Sequence, residues 1–227
     1  MNRNIAIVIF VKTIGYSPLK TRLARVIGKK MAEEFYLLSC KAMEEICSQL
    51  QNINTYTITR YWAVAEENAL EARVWSQFDK IYQGTGGLGE RLACVHEALR
   101  DSYEGIIFLG ADSPQIEPDD LRMAINSAIK QQAIVLGPSS DGGFWLWGSG
   151  KRLESHFWKN IQYSSASTLE ELRANLHAEA PIFSLRTLRD VDHLEDLLAL
   201  RDLFLNNENL LPSQRNLLSW IRENCGQ

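Results

Sequence analysis

The chain has 227 residues, of which 45% are hydrophobic and 23% are charged, and its formal net charge at pH 7 is −4. This length and apolar content suit one α/β domain with a single core. No block of like charges stands out, and nucleic acid binds basic surfaces, so we predict no nucleic-acid partner. The four cysteines (Cys40, Cys47, Cys94 and Cys225) form no C-x-x-C pair and no spaced ligand set with histidines, which argues against a zinc site.

Strand-like and helix-like segments alternate along the whole chain. Apolar runs predict strands at 4–11, 54–64, 79–83, 105–110, 133–137, 143–148 and 180–185. Helical periodicity predicts helices at 29–51, 66–77, 88–103, 118–131, 165–178, 192–205 and 212–224. This alternation is typical of a mostly parallel sheet with helices on both faces, and we predict one domain over residues 1–227 with a helical cover from about residue 207.

The first strand also bears on location. Residues 5–11 are apolar, but the run is too short to span a membrane and no small-residue cleavage site accompanies it. We therefore expect no membrane partner. Without a signal peptide or a disulfide pattern, the expected location is cytoplasmic.

Two short motifs refine the map of elements. Asp141-Gly142-Gly143 lies between two strand-like runs and predicts a tight turn, hence an antiparallel pair in an otherwise parallel sheet. Ser167-Thr168-Leu169-Glu170 predicts a capping box at the start of a helix.

A basic loop follows the first strand and contains Lys12, Lys20 and Arg22 together with Gly15 and Pro18. Ligands of open α/β sheets bind outside the carboxyl ends of the strands. The loop could therefore wrap a di- or triphosphate, with lysine as a mobile point charge and arginine as a planar fork. The alternative is a solvated loop with incidental basic residues.

Aspartates follow later strand-like runs in the same way. Asp112 ends the fourth predicted strand and Asp141 ends the fifth, where two carboxylates could jointly hold a hard cation that in turn holds a phosphate. Each also has a structural interpretation, because aspartate is a common turn residue. Asp190-Val191-Asp192 precedes a helix, so Asp192 could simply be its N-cap.

The run Gly84-Thr85-Gly86-Gly87-Leu88-Gly89 matches G-x-G-x-x-G, and Asp112 ends the next strand, as in a dinucleotide-binding fold. An NAD(P)-dependent oxidoreductase is therefore one hypothesis, although the preceding strand is short, polar and not the first of the sheet. A second is a loop whose glycines only permit unusual backbone angles. A third is that Gly87, Gly89 and the helix N-terminus contact a ligand base or phosphate, with Arg91 nearby.

Five runs occur in an order typical of one protein family: Ser17-Pro18-Leu19-Lys20-Thr21-Arg22-Leu23-Ala24 after Lys12, Gly87-Leu88-Gly89-Glu90-Arg91-Leu92, Gly110-Ala111-Asp112-Ser113-Pro114, Gly137-Pro138-Ser139-Ser140-Asp141-Gly142-Gly143-Phe144-Trp145, and Asp190-Val191-Asp192. Up to about residue 200, the chain resembles the GT-A-fold, nucleotide-diphospho-sugar-transferase-like proteins known as the radical-SAM/selenodomain-associated transferase family, arsenosugar-biosynthesis-type glycosyltransferases. The resemblance implies a Rossmann-like GT-A domain that binds a nucleotide or nucleotide sugar with Mg²⁺ or Mn²⁺.

The resemblance also implies a metal site. Asp112 looks like the metal-site aspartate of the superfamily, and Asp192, with Asp190 beside it, looks like the second carboxylate of the ion site. Only Asp112 stands where many GT-A glycosyltransferases have two acids in a D-x-D motif.

Phosphate and acceptor contacts are implied as well. Lys12, Lys20 and Arg22 fall where the first loop of the superfamily meets nucleotide phosphates, and Asp141 falls where the acceptor side is built. Gly87, Gly89 and Arg91 lie in a second matching run and are candidate nucleotide contacts. The candidate catalytic residues are Lys20, for the leaving group, and Asp141, as the acceptor-side base.

These roles predict a metal-dependent glycosyltransferase that moves a sugar from a nucleotide diphosphate to a small acceptor. The Lys-Thr-Arg-Leu run also looks like the first loop of phospholactate guanylyltransferases and, more loosely, of molybdenum-cofactor guanylyltransferases. The alternative is therefore nucleotidyl transfer to a phosphorylated small molecule. The base, the sugar, the acceptor and the oligomeric state remain open.

Overall fold

The computed structural model describes residues 3–50 and 56–225. Its strands are β1 (Arg3–Val11), β2 (Tyr56–Val64), β3 (Asp79–Tyr82), β4 (Gly105–Gly110), β5 (Ile134–Pro138), β6 (Phe144–Ser149) and β7 (Ile182–Ser184). Its α-helices are α1 (Thr21–Ile27), α2 (Lys29–Ser48), α3 (Leu88–Leu99), α4 (Pro118–Lys130), α5 (His156–Lys159), α6 (Thr168–Leu176), α7 (Leu194–Leu205) and α8 (Pro212–Cys225). The predicted helix end at residue 51 and strand start at 54 lie outside the described residues.

The strands form one sheet in the order β3-β2-β1-β4-β6-β5-β7. All neighbours are parallel except β6, which runs antiparallel between β4 and β5. The fold is thus α/β with a mostly parallel sheet, and the antiparallel element predicted from the Asp141 turn is confirmed. The order reverses between β1 and β4, and ligands of open α/β sheets bind outside the carboxyl ends of the strands at this switch point.

The central strand β1 shows how the sequence builds both faces. Ile5, Ile7 and Ile9 point into the core under α2 and α4, whereas Ala6 and Val8 point into the core under α3, and all five are fully buried. Successive side chains of a strand alternate between the two faces, so a continuous apolar run is what a doubly covered strand requires.

The C-terminal helices pack against the first two helices of the chain. Phe35, Leu197, Leu217 and Ile221 belong to a third apolar cluster and are buried there. The helix α8 lies in the segment from about residue 207, for which the sequence predicts a helical cover. No described helix is both long enough and apolar enough to cross a membrane.

The predicted helix at 66–77 is wrong. This segment contains two 3₁₀ turns, Glu67–Ala69 and Arg73–Trp75, separated by Ala72 in an extended conformation. Trp75 is 1% exposed and lies 5.2 Å, centroid to centroid, from Trp62. We attribute the difference to this anchoring, because tertiary packing routinely overrides helix propensity.

Two further predictions need correction at helix starts. Ser167 does not form a capping box: its backbone is αR, and its hydroxyl donates to Glu171. Asp192 is not an N-cap: α7 is capped at His193, and the Asp196 carboxylate accepts the amides of Asp192 and His193. The short helices α1 and α5 were not predicted, and the other element ends agree within four residues.

His96 on α3 gives the fold an expected sensitivity to acid. Its ring is 2% exposed between Trp147 and Trp158, and this burial, with Arg100 nearby, lowers the pKa of His96 to about 4. The unfolded chain therefore binds this proton first as pH falls. The free energy of unfolding is therefore unaffected by protonation of His96 above pH 6.5, and it falls by about 3 kcal/mol as the pH drops from 6.5 to 4.

Urea unfolding of the parent and of His96→Phe, across this pH range, measures the effect. We expect the free energy of unfolding of the parent to fall relative to that of the variant below pH 6.5. His177→Gln, which removes an exposed histidine, is the matched control. Parallel curves for parent and His96→Phe would show that His96 takes up a proton in the folded state.

Candidate functional site

Three segments meet at the carboxyl ends of β1 and β4, at the switch point of the sheet. They are the first loop (12–20), the turn after β4 (111–116) and the segment before α7 (188–193). The amide of Val191 donates to the Asp112 carbonyl at 3.3 Å, and the Gln115 side chain donates to the Arg189 carbonyl at 2.8 Å. These bonds hold together residues that are far apart in the chain.

Lys20 links the acids of this site. Its ammonium lies 3.0 Å from Asp112 Oδ1, 3.3 Å from Asp192 Oδ1 and 2.7 Å from the carbonyl of Val191. An ammonium has three N–H donors, and here all three face an acceptor. The Lys20 side chain is 3% exposed, whereas those of Asp112 and Asp192 are 44% and 40% exposed.

The charge state of Lys20 follows from these contacts. Burial by itself lowers the pKa of Lys20, but the carboxylates of Asp112 and Asp192 outweigh burial and raise that pKa above its ordinary value. Lys20 is therefore a fixed positive charge, placed on the protein side of two carboxylates that also face solvent.

The backbone at Lys20 is unusual. Its φ of 46° and ψ of 38° are left-handed, a conformation that costs a non-glycine residue roughly 1–2 kcal/mol. The Lys20 carbonyl accepts the amide of Ala24 at 2.8 Å and so opens α1. Backbone strain of this kind persists where surrounding contacts over-determine it, and here the surrounding contacts are those of the Lys20 ammonium.

The other two predicted phosphate contacts, Lys12 in the first loop and Arg22 on α1, are exposed. Arg22 Nη1 lies 3.0 Å from Asp192 Oδ2, but the Arg22 side chain is 62% exposed. Lys12 is anchored through its backbone, whose amide donates to the Tyr36 hydroxyl at 2.8 Å and whose carbonyl accepts from it at 3.0 Å. The Lys12 ammonium makes no hydrogen bond or ion pair with the described residues. Both charged groups can reach a ligand from the solvent side.

Asp190 bonds to Ser113 rather than to Lys20. Its carboxylate accepts the hydroxyl of Ser113, with Ser139 beside it, and burial raises the pKa of Asp190. Of the three predicted metal ligands, the structure thus brings Asp112 and Asp192 onto one cation, whereas Asp190 is buried and bonded to Ser113. Among the described residues, no group of three acids, histidines or cysteines could hold a metal ion by itself.

This donor set fits a hard cation that arrives with a phosphate. Mg²⁺ is usually bound through one or two carboxylates plus substrate phosphates, rather than by an all-protein cage. Asp112 and Asp192 supply two exposed carboxylates, and the ammonium between them already shows that this position stabilises positive charge.

Asp141 lies on the exposed turn between β5 and β6. Its Oδ1 accepts the amide of Gly143 at 2.9 Å, as expected of a turn residue. The Asp141 charge also contributes to the raised pKa of Asp190, so the turn lies near the acids. The Gly142 carbonyl accepts the amide of Leu169 at 2.9 Å, which ties the turn to α6.

The glycine loop follows β3 at the edge of the sheet, two strands along from β1, whereas the switch point lies between β1 and β4. Arg91 braces it: Nε donates to the Gly86 carbonyl at 3.0 Å, and Nη1 donates to Gln83 Oε1 at 3.2 Å. Gly87 is exposed at the start of α3, and its amide donates to Glu90 Oε2 at 3.0 Å. Of the three candidate nucleotide contacts in this run, Gly87 is the one with an exposed backbone.

Gly89 has a packing role instead. A β-carbon at this position would lie 2.4 Å from the carbonyl oxygen of Trp158, so glycine lets α3 approach α5 closely. In the dinucleotide fingerprint the glycine loop carries the pyrophosphate at the crevice where the strand order reverses. A loop on the edge strand does not occupy that position, which weighs against the NAD(P) hypothesis.

Two polar residues near the site were not predicted. Gln83 is buried, and its amide donates to the carbonyls of Val11 at 3.0 Å and Ala63 at 2.6 Å, which joins the ends of β1 and β2. Glu66 Oε2 accepts the amide of Thr13 at 2.9 Å and fixes the start of the first loop. In the sequence, each is only a polar residue at or just after the end of a strand. That pattern does not distinguish a residue that stabilises the loop from one that contacts a ligand.

Comparison with solved structures gives the same fold. A "putative nucleotide-diphospho-sugar transferase" from Desulfovibrio desulfuricans G20 is similar with a TM-score of 0.80 and 23% identity, over 97% of this chain and 95% of that one. A nucleotidyl transferase from Methanothermobacter is similar with a TM-score of 0.56 and 15% identity, over 90% and 99% of the two chains. Glucosyl-3-phosphoglycerate synthase from Mycobacterium tuberculosis, solved with Mn²⁺, UDP and glucosyl-3-phosphoglycerate, has a TM-score of 0.53 and 10% identity, over 99% and 80%.

These neighbours are transferases, and at such identities the likeness shows the fold. The expected resemblance to nucleotide-diphospho-sugar-transferase-like proteins is confirmed at that level. No curated protein matches the chain. Residues 47–165, just over half of the 227 residues, match the model of a family described as "Uncharacterized protein conserved in bacteria (DUF2064)", and the chain belongs to this family.

Proposed function

We propose that the protein is a metal-dependent glycosyltransferase that takes a nucleotide diphosphate sugar and passes its sugar to a small acceptor. The observation that supports this most directly is the pair Asp112 and Asp192, which share the Lys20 ammonium at the switch point of the sheet. Two partly exposed carboxylates can ligate a divalent ion, and the basic residues beside them can bind the phosphates that the ion carries.

In this proposal Asp112 and Asp192 would hold Mg²⁺ or Mn²⁺, and the ion would supply positive charge to the leaving diphosphate. Arg22, bonded to Asp192 and largely exposed, contacts a phosphate oxygen from the solvent side. Lys12 contributes a second exposed charge at the end of β1. Asp190 would not ligate the ion, because its bond to Ser113 fixes the turn that carries Asp112.

The acceptor side is assigned to the turn of Asp141. One carboxylate oxygen is used by the amide of Gly143, so the other remains to take a proton from an acceptor hydroxyl. The hydrogen bond from the Leu169 amide to the Gly142 carbonyl ties the turn that carries this carboxylate to α6.

The second candidate is nucleotidyl transfer from a nucleoside triphosphate. It is favoured by the nucleotidyl transferase among the structural neighbours, whose TM-score of 0.56 is close to the 0.53 of the glucosyl transferase. The same residues would then stabilise charge on the α-phosphate and on the leaving pyrophosphate.

Product analysis separates the two candidates. Purified protein is incubated with Mn²⁺ and either UDP- and GDP-sugars or the four nucleoside triphosphates, with water as a surrogate acceptor. Glycosyl transfer releases a nucleoside diphosphate and nucleotidyl transfer releases pyrophosphate. A thermal-shift panel of the same compounds and NAD, with and without Mn²⁺, reports binding independently. Binding of NAD alone, without any effect of Mn²⁺, would contradict both candidates.

Arg22 provides a prediction specific to the phosphates. Arg22→Ala should weaken binding of UDP or GDP by about tenfold and leave binding of the nucleoside unchanged, because one charge-assisted contact is lost. Calorimetry with each pair of ligands measures this. Arg25→Ala, an exposed arginine on the same helix, is the matched control. Equal losses for nucleotide and nucleoside would remove Arg22 from the phosphate site.

A further inference from the structure

We propose that Lys20 is a tethered cation that holds the metal position in the nucleotide-free protein, so that a divalent ion enters only together with a nucleotide. The part of the inference that concerns the nucleotide rests on the proposed function. The part that concerns metal binding without a nucleotide does not. It assigns to Lys20 a control of binding order, beyond a contact to the leaving group.

The first argument is that Lys20 and a metal ion need the same two carboxylates. The ammonium contacts Oδ1 of Asp112 at 3.0 Å and Oδ1 of Asp192 at 3.3 Å, the two carboxylates that are exposed to solvent. A divalent ion on this pair would lie against a buried like charge. In a partly buried site such repulsion is screened only in part, so the bare ion is disfavoured while the ammonium stays.

The second argument is that Lys20 has no donor to spare. Its three N–H groups face Val191, Asp112 and Asp192, and its side chain is 3% exposed. In this arrangement the ammonium cannot contact a phosphate. A role at the leaving group therefore requires that Lys20 give up at least one carboxylate, and an incoming metal is the natural replacement for that carboxylate.

The third argument is that a nucleotide diphosphate allows the exchange. The metal would take the two carboxylates from the solvent side, and the phosphates that come with it would accept the released ammonium. The four-carbon stem of lysine is flexible enough for such a swing. Metal and phosphate together keep each charge paired, whereas the metal alone leaves the Lys20 charge buried without its carboxylates.

The test measures Mn²⁺ binding in the absence of nucleotide, by the loss of the free-Mn²⁺ electron paramagnetic resonance signal. We expect the parent to bind weakly and Lys20→Met to bind at least about tenfold more tightly, since the competing charge is gone. Adding Asp112→Asn to Lys20→Met should abolish the gain. Lys30→Met, a lysine whose side chain is 90% exposed on α2, removes the same charge elsewhere and should behave as the parent does.

A second measurement keeps the test decisive if a substitution at Lys20 disturbs the fold. Thermal unfolding with and without Mn²⁺ should show a metal-dependent rise for Lys20→Met and Lys20→Gln, and none for the parent. Equal Mn²⁺ affinity of parent and Lys20→Met would overturn the inference. Failure of every nucleotide to bind would instead overturn the proposed function, and the Mn²⁺ measurements would still decide the role of Lys20.

Discussion

Replacing Asp112 by asparagine is expected to reduce Mn²⁺-dependent nucleotide binding by about a hundredfold or more, because one of two carboxylate ligands is lost. The fold should persist. The Asp112 backbone carbonyl, which accepts the amide of Val191, is unchanged, and Lys20 keeps Asp192 and Val191 as acceptors. The side chain at position 112 is 44% exposed, so an amide there remains solvated.

Isothermal titration of the nucleotide, with Mn²⁺ and with a chelator, measures this prediction. The residual affinity of Asp112→Asn in Mn²⁺ should equal that of the parent in the chelator. Asp119→Asn removes an acid whose side chain is 82% exposed in the first turn of α4, and it should bind as the parent does. Full Mn²⁺-dependent affinity in Asp112→Asn would place the metal elsewhere.

Much of the fold was predictable because strands of this kind carry a strong signal. A doubly covered strand such as β1 must be apolar at every position, and the tight turn at Asp141 marks an antiparallel pair. The failures lie where tertiary contacts decide. The segment at 66–77 follows its buried Trp75 rather than its helix propensity, and α1 begins at a strained Lys20 that no local pattern marks.

Some residues of the candidate site could likewise be predicted from the sequence, whereas the contacts between them could not. Asp112 could be proposed from its place after a strand, since position along a parallel sheet fixes the edge at which a residue lies. The contact of Lys20 with Asp192 spans 172 residues and depends on how two loops fold back over the sheet. The interpretation of Asp192 as an N-cap failed for a local reason: Asp196 takes the capping bonds and leaves the Asp192 carboxylate to Lys20 and Arg22.

Gly142→Ala is expected to destabilise the protein by about 3 kcal/mol and to displace the turn that carries Asp141. Two costs combine in this estimate. The φ of Gly142 is +90°, where a side chain costs roughly 1–2 kcal/mol, and the new β-carbon would lie 2.2 Å from the carbonyl oxygen of Ala166. The contacted atom belongs to the backbone, so relief requires a shift of the turn or of the segment before α6.

Gly28→Ala separates these two costs. Gly28 has a φ of +87°, nearly the same as Gly142, but a β-carbon there meets no atom within 4 Å. The φ of +87° combined with a ψ of 152° is a conformation that essentially only glycine adopts, so Gly28→Ala should carry a conformational cost alone, roughly 1–3 kcal/mol. Urea unfolding of both variants measures the difference, for which we expect about 2 kcal/mol from the clash alone. If the proposed acceptor role of Asp141 is correct, Gly142→Ala should also lose transfer to acceptor while binding the nucleotide normally, whereas Gly28→Ala should keep both. Equal destabilisation of the two variants would mean that the turn is not held against Ala166, and with it the fixed position of Asp141 would have no support.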